Sequence, residues 1–90
     1  MIVGMLTEYI ERAMRKAHYT LLENGRFFGS IPQCKGLWAE GKTLEKCREE
    51  LRSTLEDWIL LGLQLGHPLP VIDRLNLNRS NRKLAHAQAD

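Results

Sequence analysis

HYTLLENGRFFGSI, residues 18–31, is the stretch of sequence that decides the fold. Two segments rich in strand-forming residues flank Asn24-Gly25, and both of these residues tolerate the positive φ of a type I′ turn. The pattern therefore predicts an antiparallel β-hairpin with a two-residue turn.

A two-residue turn would fix the pairing of the hairpin, with Leu22 opposite Phe27 and Leu21 opposite Phe28. Because side chains alternate along a strand, apolar bulk would then occupy both faces of the hairpin. One face is predicted to hold Thr20, Leu22, Phe27, Gly29 and Ile31, and the other Tyr19, Leu21, Phe28 and a Glu23–Arg26 pair.

The sequence after the hairpin predicts a third strand and a long helix. Pro32 and Gly36 bracket a loop before the strand 37–41, which carries Trp38. Thr43 is a good N-cap for a helix over residues 44–65, and Gly66 is a good residue to end it. The predicted core stripe of this helix is Leu44, Cys47, Leu51, Leu55, Trp58, Ile59, Gly62 and Leu65.

Two further elements complete the prediction. Apolar residues at three- and four-residue spacing indicate an amphipathic helix over residues 5–16, with Thr7 as its cap. Residues 71–78 are predicted to form a last strand. The order α-β-β-β-α-β predicts a two-layer α+β domain over residues 1–78, with a small antiparallel sheet and one long helix.

Composition and charge narrow the function. The chain has 90 residues, 43% of them apolar and 27% charged, which is typical of one small globular domain. Residues 1–73 carry nine Lys and Arg against ten Asp and Glu, whereas residues 79–90 form a basic tail that we expect to be flexible. No run of about 18 uncharged apolar residues is present, so we expect a cytoplasmic protein without a membrane span.

No residue pattern indicates catalysis, a cofactor or a metal. The glycines do not form a phosphate-binding loop, and the three histidines are scattered. Cys34 and Cys47 are far from a Cys-x-x-Cys spacing, so we expect free thiols. We therefore predict a protein that is not an enzyme and has no catalytic, cofactor or metal site.

The two-faced hairpin indicates binding instead. One long helix can cover only one face of a small sheet, and contiguous exposed apolar surface usually marks an interface. The predicted interface consists of Tyr19, Leu21, Arg26, Phe28 and Trp38. We expect the protein to associate with itself, as a dimer or a higher oligomer, or with another protein.

The stretch from Tyr19 to Pro70 resembles the HicB-like antitoxin family. The resemblance is carried by Ile31-Pro32 at the end of a strand, by the segment GLWAEGKTLE over residues 36–45, and by GHPLP over residues 66–70. This order and spacing covers about 50 of the 90 residues. The helix before the hairpin is similar to that of small stand-alone members.

The resemblance implies a partial RNase H-like fold that binds a small HicA-type toxin and blocks its cleavage of messenger RNA. It also implies that no enzymatic activity is involved. Many members bind their own operator through a further C-terminal segment. Only 18 residues follow Ile72, too few for a marginal domain, so we expect no self-contained operator binding.

Two other function classes remain open from the residues alone. A nucleic-acid-binding protein could stack bases on Tyr19 and Phe28 beside Arg26 and the basic tail. An enzyme with an RNase H-like acidic site would need convergent carboxylates, and the strands offer only Glu23 and Glu40. The near-neutral body of the chain counts against nucleic-acid binding, and the ready pairing of Glu23 with Arg26 counts against the enzyme.

Overall fold

The computed structural model of the chain describes residues 2–77, with side chains from residue 4 onward. Helix α1 spans Ile2–Arg15 and helix α2 spans Leu44–Leu65. The strands are β1 (His18–Leu21), β2 (Phe27–Ser30) and β3 (Trp38–Gly41), joined as an antiparallel sheet in the order β1-β2-β3. The predicted two-layer α+β architecture is confirmed.

The hairpin closes with a three-residue loop, so the predicted two-residue turn is wrong. The backbone N–H of Leu22 donates to the carbonyl of Arg26 at 2.8 Å, and that of Gly25 donates to Leu22 at 3.0 Å. Gly25 has a φ of +82°, and the Asn24 side chain accepts from the Arg26 N–H at 2.9 Å. This is a type I turn followed by a left-handed residue, the usual three-residue hairpin.

The extra loop residue shifts the register of β1 against β2 by one. Tyr19 lies opposite Gly29, and Leu21 lies opposite Phe27. Because a one-residue slip moves every side chain of a strand to the other face, Tyr19 and Leu21 share the face of Gly29. Their predicted place beside Phe28 is therefore wrong, whereas Phe27 and Phe28 are on opposite faces as predicted.

Helix α2 packs closely on one face of the sheet, chiefly on β3 and less on β2. Glycine at position 41 permits this approach, because a Cβ there would stand only 2.8 Å from the Cα of Cys47. A Cβ on Gly29 would stand 3.1 Å from the Cys47 sulfur. We call this side of the sheet, with Tyr19, Leu21, Phe27, Gly29, Ala39 and Gly41, the inner face.

The ends of α2 are those that the sequence predicts. The side chain of Thr43 accepts from the Lys46 N–H at 3.0 Å, and Gly66 ends the helix in the left-handed conformation with a φ of +71°. The buried stripe is Cys47, Leu51, Leu55, Ile59 and Gly62. Trp58 is only half-buried, and Leu44 and Leu65, at the ends of the predicted stripe, are exposed.

Helix α1 begins at Ile2, so Thr7 lies inside the helix and is not its cap. Its buried residues are Tyr9, Ile10, Ala13 and Met14. The Tyr9 hydroxyl donates to the carbonyl of Pro70 at 2.6 Å, and Arg12 donates to the carbonyl of Asp73 at 2.7 Å. These bonds fasten α1 to the segment that follows α2.

The predicted last strand, residues 71–78, is wrong over its described part. Ile72 and Leu75 exchange backbone hydrogen bonds of 3.2 and 2.8 Å around Asp73 and Arg74, whose φ angles are +48° and +69°. Two successive positive φ angles define a type I′ turn, which folds the segment back on itself. Residues 2–77 therefore hold three strands, and residue 78 and the tail 79–90 lie outside the described residues.

Candidate protein-binding face

The sheet has a second side that no described helix covers. We call it the outer face and define it by His18, Thr20, Leu22, Arg26, Phe28, Ser30, Trp38 and Glu40. The alternation of side chains along β2 and β3 places these residues opposite the inner face that α2 packs against. Within residues 2–77 the outer face is the broad side of the sheet that is open to a partner.

Phe28 and Trp38 form an aromatic pair at the centre of the outer face. Their ring centroids lie 5.9 Å apart and their planes differ by 19°, a stacked arrangement. Phe28 pairs with Glu40 and Trp38 with Ser30, so the two rings are diagonal neighbours on adjacent strands. Trp38 is 55% exposed, although a tryptophan is among the costliest side chains to leave in water.

An ion pair borders the aromatic pair. The Nε of Arg26, the residue before β2, donates to a carboxylate oxygen of Glu40 on β3 at 2.9 Å. Both side chains are more than one-third exposed, so the pair contributes at most about 1 kcal/mol to folding. Its structural effect is to fix two long polar side chains beside the rings, and it replaces the predicted Glu23–Arg26 pair.

The structure brings together three of the five residues that the sequence predicts for the interface. Arg26, Phe28 and Trp38 share the outer face, whereas Tyr19 and Leu21 lie on the inner face. Sequence reasoning did not include Glu40 in the interface. Its alternation with Trp38 along β3 was the signal that could have found it.

Tyr19 is partly buried on the inner face, near Arg48 and Cys47. Burial raises the pKa of its hydroxyl, the nearby Arg48 guanidinium opposes that rise, and Cys47 adds to it. The ring covers the backbone of Gly29 at 3.0 Å from the position of a Cβ. Tyr19 is thus a packing residue of the inner face, not a free aromatic on the open side.

Both cysteines are free thiols, as predicted, and both are buried. Burial raises the pKa of Cys34 to about 11, and burial followed by the nearby Glu40 carboxylate raises the pKa of Cys47. The Cys47 thiol donates to the carbonyl of Ala39 at 3.7 Å. A thiol reacts as its thiolate, so burial and the raised pKa both lower the reactivity of the two groups near neutral pH.

The carboxylates of the strands and the hairpin loop do not converge. Glu23 is exposed in the loop, and Glu40 pairs with Arg26. Over residues 2–77, no group of three or more His, Cys, Asp or Glu side chains is arranged to hold a metal ion. None of the helices in that range is long and apolar enough to cross a membrane.

A second exposed apolar area lies on the last turns of α2. Leu60, Leu61 and Leu65 are each more than half exposed, and so is Val71 beyond the helix. This area lacks the aromatic stack and the ion pair of the outer face. It provides matched positions for control substitutions.

The fold and sequence are similar to those of known proteins. The chain aligns with the crystal structure of TTHA0281 from Thermus thermophilus at a TM-score of 0.77 and 39% identity, over 81% of this chain and 91% of that one. No curated protein matches the chain. The model of the UPF0150-like family matches residues 8–70, more than two-thirds of the sequence. The chain therefore belongs to the UPF0150-like family.

Proposed function

We propose that this protein is a non-enzymatic protein-binding module of the antitoxin type, which neutralises a small RNA-cleaving toxin similar to HicA toxins. The observation that carries the proposal is the uncovered stack of Phe28 on Trp38 beside the Arg26–Glu40 ion pair. Family membership and the HicB-like sequence pattern over residues 19–70 support it. The RNase H-like classification stays a prediction.

The outer face has the composition of a protein-binding surface. Trp, Tyr and Arg dominate the residues that carry binding energy at protein interfaces, and they act best where surrounding groups exclude water. Trp38 and Phe28 offer ring area, while Arg26 and Glu40 offer a charged pair that a partner can seal from water. Sealing strengthens such a pair because the local dielectric constant falls.

The charge of the outer face also favours a protein over a polyanion. Arg26 is the arginine on this face, and its charge is neutralised by Glu40, with 2.9 Å between the arginine Nε and a carboxylate oxygen. Affinity for nucleic acids depends on cations that contact phosphates, and this face offers none in excess. An RNA-cleaving toxin would therefore be met chiefly through the rings, since the Arg26–Glu40 pair leaves the face without excess charge of either sign. We place this encounter in the cytoplasm, where messenger RNA is translated.

Nucleic-acid binding is the second candidate, and the geometry removes part of its support. Tyr19 and Phe28, the two rings proposed to stack bases, lie on opposite faces of the sheet. A single strand could not stack on both at once. Loss of binding with increasing salt would be the signature of this alternative.

A pull-down from the native cell tests the proposal. The tagged wild-type chain is compared with Phe28→Asp and with Leu61→Asp, which places the same charge on a helix residue that is 55% exposed. We expect a small stoichiometric partner that survives nuclease, is retained by Leu61→Asp and is lost with Phe28→Asp. A partner that vanishes with nuclease, or that Phe28→Asp retains, contradicts the proposal.

A further inference from the structure

Strand β1 is an open edge of the sheet. It pairs with β2 on one side, and residues 2–77 contain no fourth strand that could pair on the other. Helix α2 lies over β3 and β2, and α1 is fastened to the segment around Pro70 and Asp73. No described element therefore lies along the free edge of β1.

The hydrogen-bond pattern shows which groups this edge presents. Leu22 bonds to Arg26 across the hairpin, so the next hydrogen-bonded pair inward is Thr20 with Phe28. The residues at the alternate positions, Tyr19 and Leu21, direct their backbone N–H and C=O groups away from β2. Tyr19 and Leu21 therefore offer two N–H and two C=O groups to whatever lies beside β1.

Apart from its short length of four residues, strand β1 lacks the features by which proteins usually protect a sheet edge. Such edges carry lysine, proline, inward charges or a bulge. His18, Tyr19, Thr20 and Leu21 include no lysine, no proline and no acidic residue. Leu21 is 64% exposed, the largest exposure among the large apolar residues of the described chain.

The opposite edge of the sheet is more crowded for a second copy. Two copies paired along β3 would bring their α2 helices to the same face across neighbouring strands, about 4.8 Å apart. Packed helices need about 8–10 Å between their axes. Because α2 lies chiefly over β3 and less over β2, the β1 edge is the less crowded one for self-pairing.

We infer that two copies of this chain pair antiparallel along β1 and form a continuous six-stranded sheet, with Thr20 of each copy at the twofold axis. This assembly goes beyond the proposed toxin binding and does not depend on it. It leaves both outer faces open on the same side of the joined sheet.

The sequence of β1 selects this register. With Thr20 opposite Thr20 of the second copy, Tyr19 lies opposite Leu21 of the second copy, and both outward residues of each strand form hydrogen-bonded pairs. Threonine pairs and aromatic–aliphatic pairs across strands are both favourable. Moving the register by two residues either way would pair Tyr19 with Glu23 or Leu21 with Ala17 and would leave the strand ends unmatched.

Pairing along β1 would also cover the side chain of Leu21, which is exposed in the monomer. Leu21 would lie against the ring of Tyr19 of the second copy on the inner face. Tyr19 is already half-buried and held over Gly29, so it presents a fixed surface. A second copy thus supplies the contact that β1 lacks.

Disulfide trapping tests the register directly. Thr20 would occupy a non-hydrogen-bonded pair, where Cα atoms of opposite strands lie about 4.5 Å apart, within disulfide range. In the same assembly, residue 18 of each copy lies opposite residue 22 of the other. Because residues 18 and 22 are four positions apart along the strand, the two copies of residue 18 would be about 13 Å apart. Thr20→Cys and His18→Cys are therefore matched variants, both on the exposed outer side of β1.

Under mild oxidation we expect Thr20→Cys to form a covalent dimer, at least about tenfold more than His18→Cys. The wild-type chain provides the background, since both of its own thiols are buried. Equal trapping at both positions, or trapping at residue 18 alone, overturns the inference.

A second measurement is independent of the trapped cysteine. Leu21→Lys should raise the monomer–dimer dissociation constant at least about tenfold by light scattering, because lysine protects strand edges. Leu61→Lys, at a similarly exposed position on α2, should leave the constant unchanged. A wild-type chain that stays monomeric at high micromolar concentration overturns the inference, and so does a dimer insensitive to Leu21→Lys.

Discussion

Gly29 lies directly opposite Tyr19 in the sheet, and the phenol ring of Tyr19 covers the place where a side chain at residue 29 would stand. This pairing follows from the three-residue hairpin loop. It turns Tyr19 toward α2 and leaves Phe28, one residue along β2, on the open side. The register of one hairpin thus determines which aromatic rings a partner can reach.

Gly41→Ala should destabilise the protein by about 2 kcal/mol or more, because an added Cβ would press on the backbone of α2. The contact is with the Cα of Cys47 at 2.8 Å, which can move only if the helix moves. Urea unfolding gives the free energy. Gly4→Ala is the control: nothing lies within 4 Å of its Cβ position in α1, so a gain of up to about 1 kcal/mol is expected. A neutral Gly41→Ala would contradict the close packing of α2 on β3.

Phe28→Asp and Phe27→Asp should differ in their effect on folding. Phe28 lies on the outer face, so its replacement removes the stack on Trp38, worth about 0.5–1.5 kcal/mol. Phe27 lies on the inner face, on the side of α2, and is partly buried, so a carboxylate there would lose part of its water without a partner, at a cost of about 1–3 kcal/mol. Circular dichroism at 222 nm through a urea titration separates the two. Equal midpoints for the two variants would show that the assignment of faces is wrong.

The ion pair between Lys16 and Asp73 should make the stability of the fold depend on pH in the acidic range. The oxygen–nitrogen distance is 2.8 Å, and the hydrogen bond from Lys16, helped by the charges of Lys16, Arg12 and Arg15, holds the pKa of Asp73 below its usual 3.8. A pKa that is lower in the folded state contributes stability above the unfolded value. That contribution should disappear as the pH falls from about 4 through the folded pKa. Asp73→Asn should flatten this part of the curve of melting temperature against pH, whereas Glu56→Gln, altering an exposed pair on α2, should change it less.

Cys34 should resist thiol reagents and destabilise the fold in alkali. Its pKa of about 11 in the folded state exceeds the ordinary value of 9.0, so an unfolded chain loses this proton first as the pH rises. The free energy of unfolding should therefore fall as the pH rises from 9 through 11, and Cys34→Ala should reduce that fall. Labelling by a disulfide reagent at neutral pH should be limited by unfolding. Rapid labelling of the native chain would mean that the thiol is accessible.

The sequence predicted the elements better than their register. Residues 44–65 were identified to the residue because Thr43 and Gly66 give local signals that do not depend on the rest of the fold. The hairpin loop was misjudged because Asn24-Gly25 suits a two-residue turn as well as the observed one, in which Gly25 is the left-handed third residue. Hydrophobicity could not decide between them, since Leu21 and Leu22 are both apolar.

Contacts between segments far apart in the chain could not be predicted either, because no local signal in the sequence specifies them. The segment after α2 alternates like a strand, but its backbone is turned by Asp73 and Arg74 and held by Arg12 from α1. The open face of the sheet was predicted in part: Phe28 and Trp38 do lie on it, whereas Tyr19 and Leu21 were misplaced by the register. Whether these residues bind a partner stays a prediction.

The most direct test of toxin neutralisation is a ribonuclease inhibition assay with the purified small partner. The account predicts that stoichiometric wild-type protein abolishes cleavage of a messenger RNA, that Leu61→Asp does the same, and that Phe28→Asp leaves cleavage at the level of the toxin alone. A partner without ribonuclease activity, or one that Phe28→Asp inhibits as well as the wild type does, would contradict the account.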